Sequence, residues 1–251
     1  MSAPAIIGLA LLAFVGTHLA LGQPPLRDLL ARRMGEKRFL ALFTAIAAIT
    51  FGILAAALAT FGGDGPAGPA LGRDPAGRII LATLAFIGFA LAMAGIVDYG
   101  RSPMRVLTKR IHPASGIQRV TRHPFFVGFA LFAAVHALLA PTMAVSVFFG
   151  GLALLSIAGA LAQDRKLAVR HGAAYADYVA KTSLVPFAAV LRRRQAFTRD
   201  DRVLRMIVLP AAITGVFLLT HAAWSAYHGA VFVVFVLLGG GFATLRRLLS
   251  T

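Results

Sequence analysis

Seven histidines are the main chemistry-bearing side chains of this 251-residue chain, which contains no cysteine. Without thiols there are no disulfides, thiolate metal sites or cysteine nucleophiles. His18 and His136 lie inside long apolar runs, His123 opens the run that holds His136, and His221 and His228 fall near the ends of two more. His112 and His171 stand in polar links. A polar group inside an apolar run is costly unless it is partnered, so each of the buried five is a functional candidate. Imidazole suits iron, and two imidazoles on opposite faces of a haem give a six-coordinate centre. His123 and His136 belong to one run and stand about 20 Å apart along a helix, whereas two axial ligands lie about 4 Å apart across the ring. That pair cannot share one iron. His18 and His123 can, because they sit at similar depth near the same end of different runs. Gly16 and Gly128 beside them would let a flat macrocycle approach the backbone, and Arg119 and Arg122 would meet its propionates. Each histidine also has a plainer reading, as a hydrogen-bonded residue of a helix. His136 and His221 are secondary candidates, for a proton relay, a substrate contact, or hydrogen bonding alone.

The elements that must carry these residues follow from composition. The chain is 59% hydrophobic, its mean hydropathy is +0.80, and charged residues make up 14%, against about a quarter in ordinary globular proteins. A water-soluble fold cannot hide that much apolar side chain, so a soluble enzyme and a soluble DNA-binding protein are excluded. Continuous uncharged stretches of about 17–25 residues read as membrane spans. Seven are expected, at 4–22, 39–61, 79–97, 125–140, 143–162, 207–224 and 230–244, the last short enough to be tilted or interfacial. The first run has no basic segment before it and no small-residue cleavage pattern after it, so it reads as a span and not as a cleavable signal.

The net charge of +16 reports orientation. Alternate links carry five, six, ten and two of the 25 basic residues, while the intervening links hold only Arg73 and Arg78. The positive-inside rule then puts the N-terminus outside and the C-terminus in the cytoplasm. Residues 62–75 (GGDGPAGPALGRDP) read as an external loop. Residues 163–206 form the long cytoplasmic segment, partly helical and amphipathic through Tyr178 and broken at Pro186. Arg192, Arg193 and Arg194 are expected to meet anionic lipid headgroups and no nucleic acid. Trp224 and Tyr227 read as an interfacial belt. The expectation is an all-α, multi-pass integral membrane bundle of six to seven helices, a single domain over 1–251, in a bacterial inner membrane.

Particular motifs sharpen this reading. GIQRVTRHP (116–124), the following FFVGFALFAAVHALL and FVGTH (14–18) resemble the NnrU family of bacterial membrane proteins. QDRKLAVRHGAAYADYVAKTSLVPFAAVLRRRQ (163–195) closely resembles the 15-cis-ζ-carotene isomerase branch of that family, with TSLVPFAA as its most specific stretch. The resemblance spans essentially the whole chain. It implies a multi-pass haem b protein in which the histidines of the first span and of R-H-P, here His18 and His123, ligate the iron. It also implies a lipid-borne polyene substrate whose central cis double bond is turned to trans without net redox change, and an electron donor whose identity the sequence leaves open, as it does the oligomeric state. Rotation about a conjugated double bond is slow because π overlap is lost at the perpendicular geometry. A ferrous iron that briefly shares an electron with the polyene would lower that bond order. In the plant branch a cysteine can precede the R-H-P histidine as an alternative ligand. Val120 occupies that neighbourhood here, so a thiolate-to-imidazole switch is closed to this chain.

Two other readings remain. R-H-P followed by Gly172, Tyr175, Tyr178 and Pro186 also resembles isoprenylcysteine carboxyl methyltransferases, which would imply S-adenosylmethionine near the cytoplasmic face. That family usually places two acidic residues where this chain has Gln163 and Asp164. NnrU members are also associated with denitrification, which implies a haem-containing accessory or sensor protein.

Overall fold

A computed structural model describes residues 1–104, 110–196 and 201–226. The expected seventh span at 230–244, together with Tyr227 and His228, lies outside the described residues. Those described fold as helices and turns, with one isolated bridge between Ala67 and Thr142 and no strand. They form two compact units. One comprises Met1–Ala70, Ala140–Gly151 and the described residues from Thr220; the other comprises Leu71–Leu139 and Leu152–Leu219.

In the first unit, α1 (Ala3–Gly22) opens with Pro4 in its first turn, where the missing N–H costs nothing. It ends where Gln23 and two prolines follow. The short helix α2 (Leu26–Met34) carries Asp28 in its first turn and Arg32 and Arg33 in its last, the placement that suits the helix dipole. Gly35, at φ +86°, turns the chain into α3 (Glu36–Phe61). The Arg27 guanidinium holds this corner. It pairs with Asp28 and Glu36 and lies over the Phe39 ring. Helices α1 and α3 pack together, with the Phe14 and Phe51 rings 5.3 Å apart, and Ile7, Leu11 and Leu54 on these helices are also buried.

In the second unit, α4 (Pro75–Val97) is capped by Asp74, whose carboxylate accepts from Ala76 N and Gly77 N. Helix α5 (Pro124–Leu139) lies against it at backbone contact. A Cβ on Gly128 would stand 2.4 Å from Ala92 N, and one on Gly88 would stand 2.7 Å from Phe132 N. Helices without a solvent-driven core associate through such small-residue faces. Helix α6 (Met143–His171) begins in the first unit and continues into the second; Gly172, at φ +50°, separates it from α7 (Ala173–Lys181). The single turn α8 (Ala188–Leu191) and α9 (Asp201–Ala226) follow. Pro210 sits inside α9, and the Thr214 hydroxyl donates to its carbonyl.

Helices α1, α3, α4 and α6 are long and apolar enough to cross a membrane, while α5 and residues Ile207–His221 are shorter apolar helices. The six expected spans within the described residues fall on α1, α3, α4, α5, α6 and α9. Leu9, Leu12, Ile49, Ile53, Ile79, Ile80 and Leu154 stand exposed on these helices. Water would not leave that much aliphatic surface bare. Helix α6 continues past the expected span end at 162 to His171, in keeping with the partly helical segment expected there. Nothing in QDRKLAVRH breaks a helix before Gly172, so the apolar run ends well before the helix does.

Replacing Gly128 with Ala is expected to cost about 1–3 kcal/mol, the usual penalty of overpacking a tight contact. The same change at Gly16, where a Cβ meets nothing within 4 Å, should be neutral or slightly stabilising. Thermal unfolding of the two variants in detergent measures the difference.

Candidate functional site: a half-buried carboxylate and its four donors

The R-H-P segment is held in place by backbone bonds before any side chain acts. A 3-10 turn at Gly116–Arg119 brings the chain up to Val120. From there it runs beside the segment after α7. Arg122 N donates to Ser183 O at 2.9 Å, Phe187 N to Val120 O at 2.8 Å, and the Thr121 hydroxyl to Leu184 O at 2.7 Å. Pro124 then opens α5, which fixes His123 at the mouth of that helix.

Asp164, on α6, receives what this segment presents. Arg122 donates through Nε to both carboxylate oxygens, at 3.1 and 3.0 Å, and through Nη2 to Oδ2 at 2.6 Å. His123 Nε2 lies 2.5 Å from Oδ1, and the Tyr175 hydroxyl donates to the same oxygen at 2.5 Å. Tyr175 comes from α7, where it stacks with Tyr178, ring centroids 5.8 Å apart. The Tyr178 hydroxyl donates to Gln118 Oε1 at 3.2 Å. Ala114, Leu167, Tyr175 and Tyr178 form the apolar floor of this cluster. The geometry of Arg122 on Asp164 is the two-pronged pairing that a planar guanidinium makes with a carboxylate.

The carboxylate fixes the chemistry of His123. An ionised Asp accepts and cannot donate, so a neutral His123 carries its proton on Nε2 and leaves Nδ1 as a lone pair. That Nδ1 is buried without a hydrogen-bond partner, as is Gln118 Nε2. His123 itself is 1% exposed. Burial pushes the phenols of Tyr175 and Tyr178 above the ordinary tyrosine range, and for Tyr175 the hydrogen bond to Asp164 adds to that rise.

The other candidates are placed as follows. His18, on α1, lies between the rings of Phe14 and Phe43, at 5.6 and 5.0 Å. It belongs to the first unit and His123 to the second. His136 directs Nδ1 at the Phe132 carbonyl at 2.8 Å and packs on the Phe132 ring, so it carries the hydrogen bond of the plainer reading. His221 stands exposed on α9. Arg119 donates through Nη1 to Ala196 O at 2.6 Å. Arg122, expected to face a propionate, instead neutralises Asp164. Gly128, expected to admit a flat ring, gives its open face to α4. No group of three or more metal-ligating side chains occurs among the described residues. Sequence reasoning missed Asp164 as the centre of this arrangement. The available signal was a carboxylate two residues past a twenty-residue apolar run, in a link that holds ten cations and four carboxylates.

Comparison with known proteins adds the following. Residues 6–236 match the family described as NnrU protein. Over 120 residues the chain is 35% identical to the chloroplastic 15-cis-zeta-carotene isomerase of Arabidopsis thaliana, which covers 47% of this chain and 32% of that protein. Over 86 residues it is 35% identical to the chloroplastic 15-cis-zeta-carotene isomerase of Zea mays, covering 34% of this chain and 24% of that protein. The chain thus spans about a third and a quarter of the two relatives' own lengths. No solved structure matches it.

Two outcomes test the cluster. Asp164→Ala leaves the Arg122 cation buried without its counter-charge, a loss of about 3–5 kcal/mol. Tyr175→Phe removes one hydrogen bond to a charged group, about 1.5–3 kcal/mol. Thermal unfolding should therefore rank wild type above Tyr175→Phe and Tyr175→Phe above Asp164→Ala. In an alkaline absorbance titration, Tyr175 and Tyr178 should stay protonated past the ordinary phenol range of about 10. Because both values are raised in the folded state, their contribution to stability is full below that range and is lost as the pH climbs from it toward the raised values.

Proposed function

The chain belongs to the NnrU family, and from that membership we propose that it is a membrane cis–trans isomerase of a carotenoid-like polyene. The observation that carries this reading is the 35% identity shared with two plant 15-cis-zeta-carotene isomerases. The proposed location is a bacterial inner membrane, with the basic links toward the cytoplasm. A C40 hydrocarbon would reach the protein from the lipid, along the apolar faces of its helices.

Haem b is the proposed cofactor. His123 has the donor set of a metal-ligating histidine: one ring nitrogen held by a carboxylate, the other buried and lacking a partner. Such outer carboxylates fix the ring and raise its basicity. His18, set between two phenylalanine rings, is the proposed second histidine, and Arg119 the proposed propionate contact. When bound, the haem iron would supply reversible electron donation that lowers the order of a conjugated double bond. The chain's own part is positional. Asp164 holds the proton on His123 Nε2 and fixes the ring. Arg122 and Tyr175 hold Asp164. The packed floor of Ala114, Leu167, Tyr175 and Tyr178 supports the cluster from one side.

The same geometry favours isomerisation over methyl transfer. A methyltransferase would turn Asp164 toward S-adenosylmethionine, and here both of its oxygens are already engaged by Arg122, His123 and Tyr175.

The test combines spectrum and assay. Purified wild type should show a Soret band, His18→Ala and His123→Ala should weaken it, and Asp164→Asn should lower haem affinity about 10–100-fold. Reduced wild type should convert a 15-cis polyene to its trans isomer, followed by chromatography, and oxidised protein should not. A colourless protein that binds S-adenosylmethionine would replace this reading with methyl transfer. A haem protein with no effect on the polyene would replace it with the accessory or sensor role.

A further inference from the structure

We propose that the turn from Ser183 to Arg194 is a membrane-interface anchor that binds anionic lipid headgroups. It involves neither haem nor substrate. The turn is built to point apolar side chains outward. Val185 is 65% exposed, Phe187 49% and Leu191 80%, while Ala189 between them is fully buried. The backbone is forced into this shape. Phe187 adopts φ +63° and Arg193 φ +56°, a region that non-glycine residues occupy only under constraint. The constraint is local: Ser183 Oγ donates to Val185 O and accepts from Ala189 N, and Phe187 N is tied to Val120 O.

Three arginines follow directly. Arg192, Arg193 and Arg194 are exposed. Arg194 donates through Nη1 to Ala180 O at the end of α7, and among the described residues neither Arg192 nor Arg193 forms an ion pair. A short surface segment that offers large apolar side chains and a run of cations together matches the lipid–water boundary. There the apolar groups enter the acyl layer and the guanidiniums meet phosphate. Four helices among the described residues are long and apolar enough to span a bilayer, so a lipid surface is at hand. Charge complementarity points to an anionic leaflet and not to a neutral one.

The absence of cysteine makes the test clean. Leu191→Cys is labelled with an environment-sensitive fluorophore, and the full-length protein is reconstituted into phosphatidylcholine vesicles with or without phosphatidylglycerol. In phosphatidylglycerol vesicles the label should be quenched by nitroxide lipid and shielded several-fold from aqueous iodide. Adding R192Q and R193Q, which leaves the Arg194 bond to Ala180 intact, should return it to water. The triple replacement with R194Q should do so more completely. A label equally open to iodide with and without phosphatidylglycerol overturns the proposal and leaves the turn to a protein partner. A shielded label indifferent to the arginine replacements overturns it as well.

Discussion

One negative charge organises the second unit. Asp164 binds Arg122, His123 and Tyr175 at once, and these come from two separate stretches of chain, the R-H-P segment and α7. Remove the carboxylate and a guanidinium is left buried with no counter-charge, an imidazole loses its orientation, and a phenol loses its acceptor. Burying such a pair is costly on desolvation grounds. The arrangement persists because Arg122, His123 and Tyr175 together occupy both carboxylate oxygens and because backbone bonds from 120–122 to 183–187 hold the segment in place independently. The one loose end on His123 is Nδ1, and it is loose because Nε2 is taken.

The rest of the structure sets the depth at which that charge can exist. Long apolar helices need no specific core to stay in lipid, so their contacts are economical: glycine faces between α4 and α5, ring contacts between α1 and α3. Polar side chains within them mostly satisfy themselves along their own helix, as Thr17, Thr50, Thr83, Ser156 and His136 do by bonding the carbonyl four residues back. Long-range polar contacts concentrate instead where α6 leaves its apolar run and meets R-H-P and α7. Among the described residues, that is where Arg122, His123, Asp164 and Tyr175 converge with little exposure to solvent.

This division explains what the sequence made readable. Six expected spans fall on helices because hydrophobicity over twenty residues is a local property. His123 stood out because a histidine beside an apolar run is locally anomalous. Asp164 did not stand out, because its importance lies in partners 41 and 42 residues away in sequence and in a tyrosine on another helix. Arg122 was legible as a cation near the site, but its partner was not, and a carboxylate of the protein takes the place expected for a propionate. Gly128 was legible as a close-approach residue; the sequence did not indicate that the approaching surface is α4. The helical character expected past 162 is present, in α6 to His171 and in α7, with Gly172 marking the break between them.

The central claim is that Asp164 keeps the proton of His123 on Nε2 and so presents Nδ1 as a donor. Nitrogen NMR of isotope-labelled histidine in the reduced, diamagnetic protein, compared with Asp164→Asn, tests it most directly. The account predicts a strongly hydrogen-bonded Nε2–H and an unprotonated Nδ1 for His123, with the Nε2–H signal shifted in the variant. A proton found on Nδ1, or a His123 signal indifferent to Asp164→Asn, would contradict it.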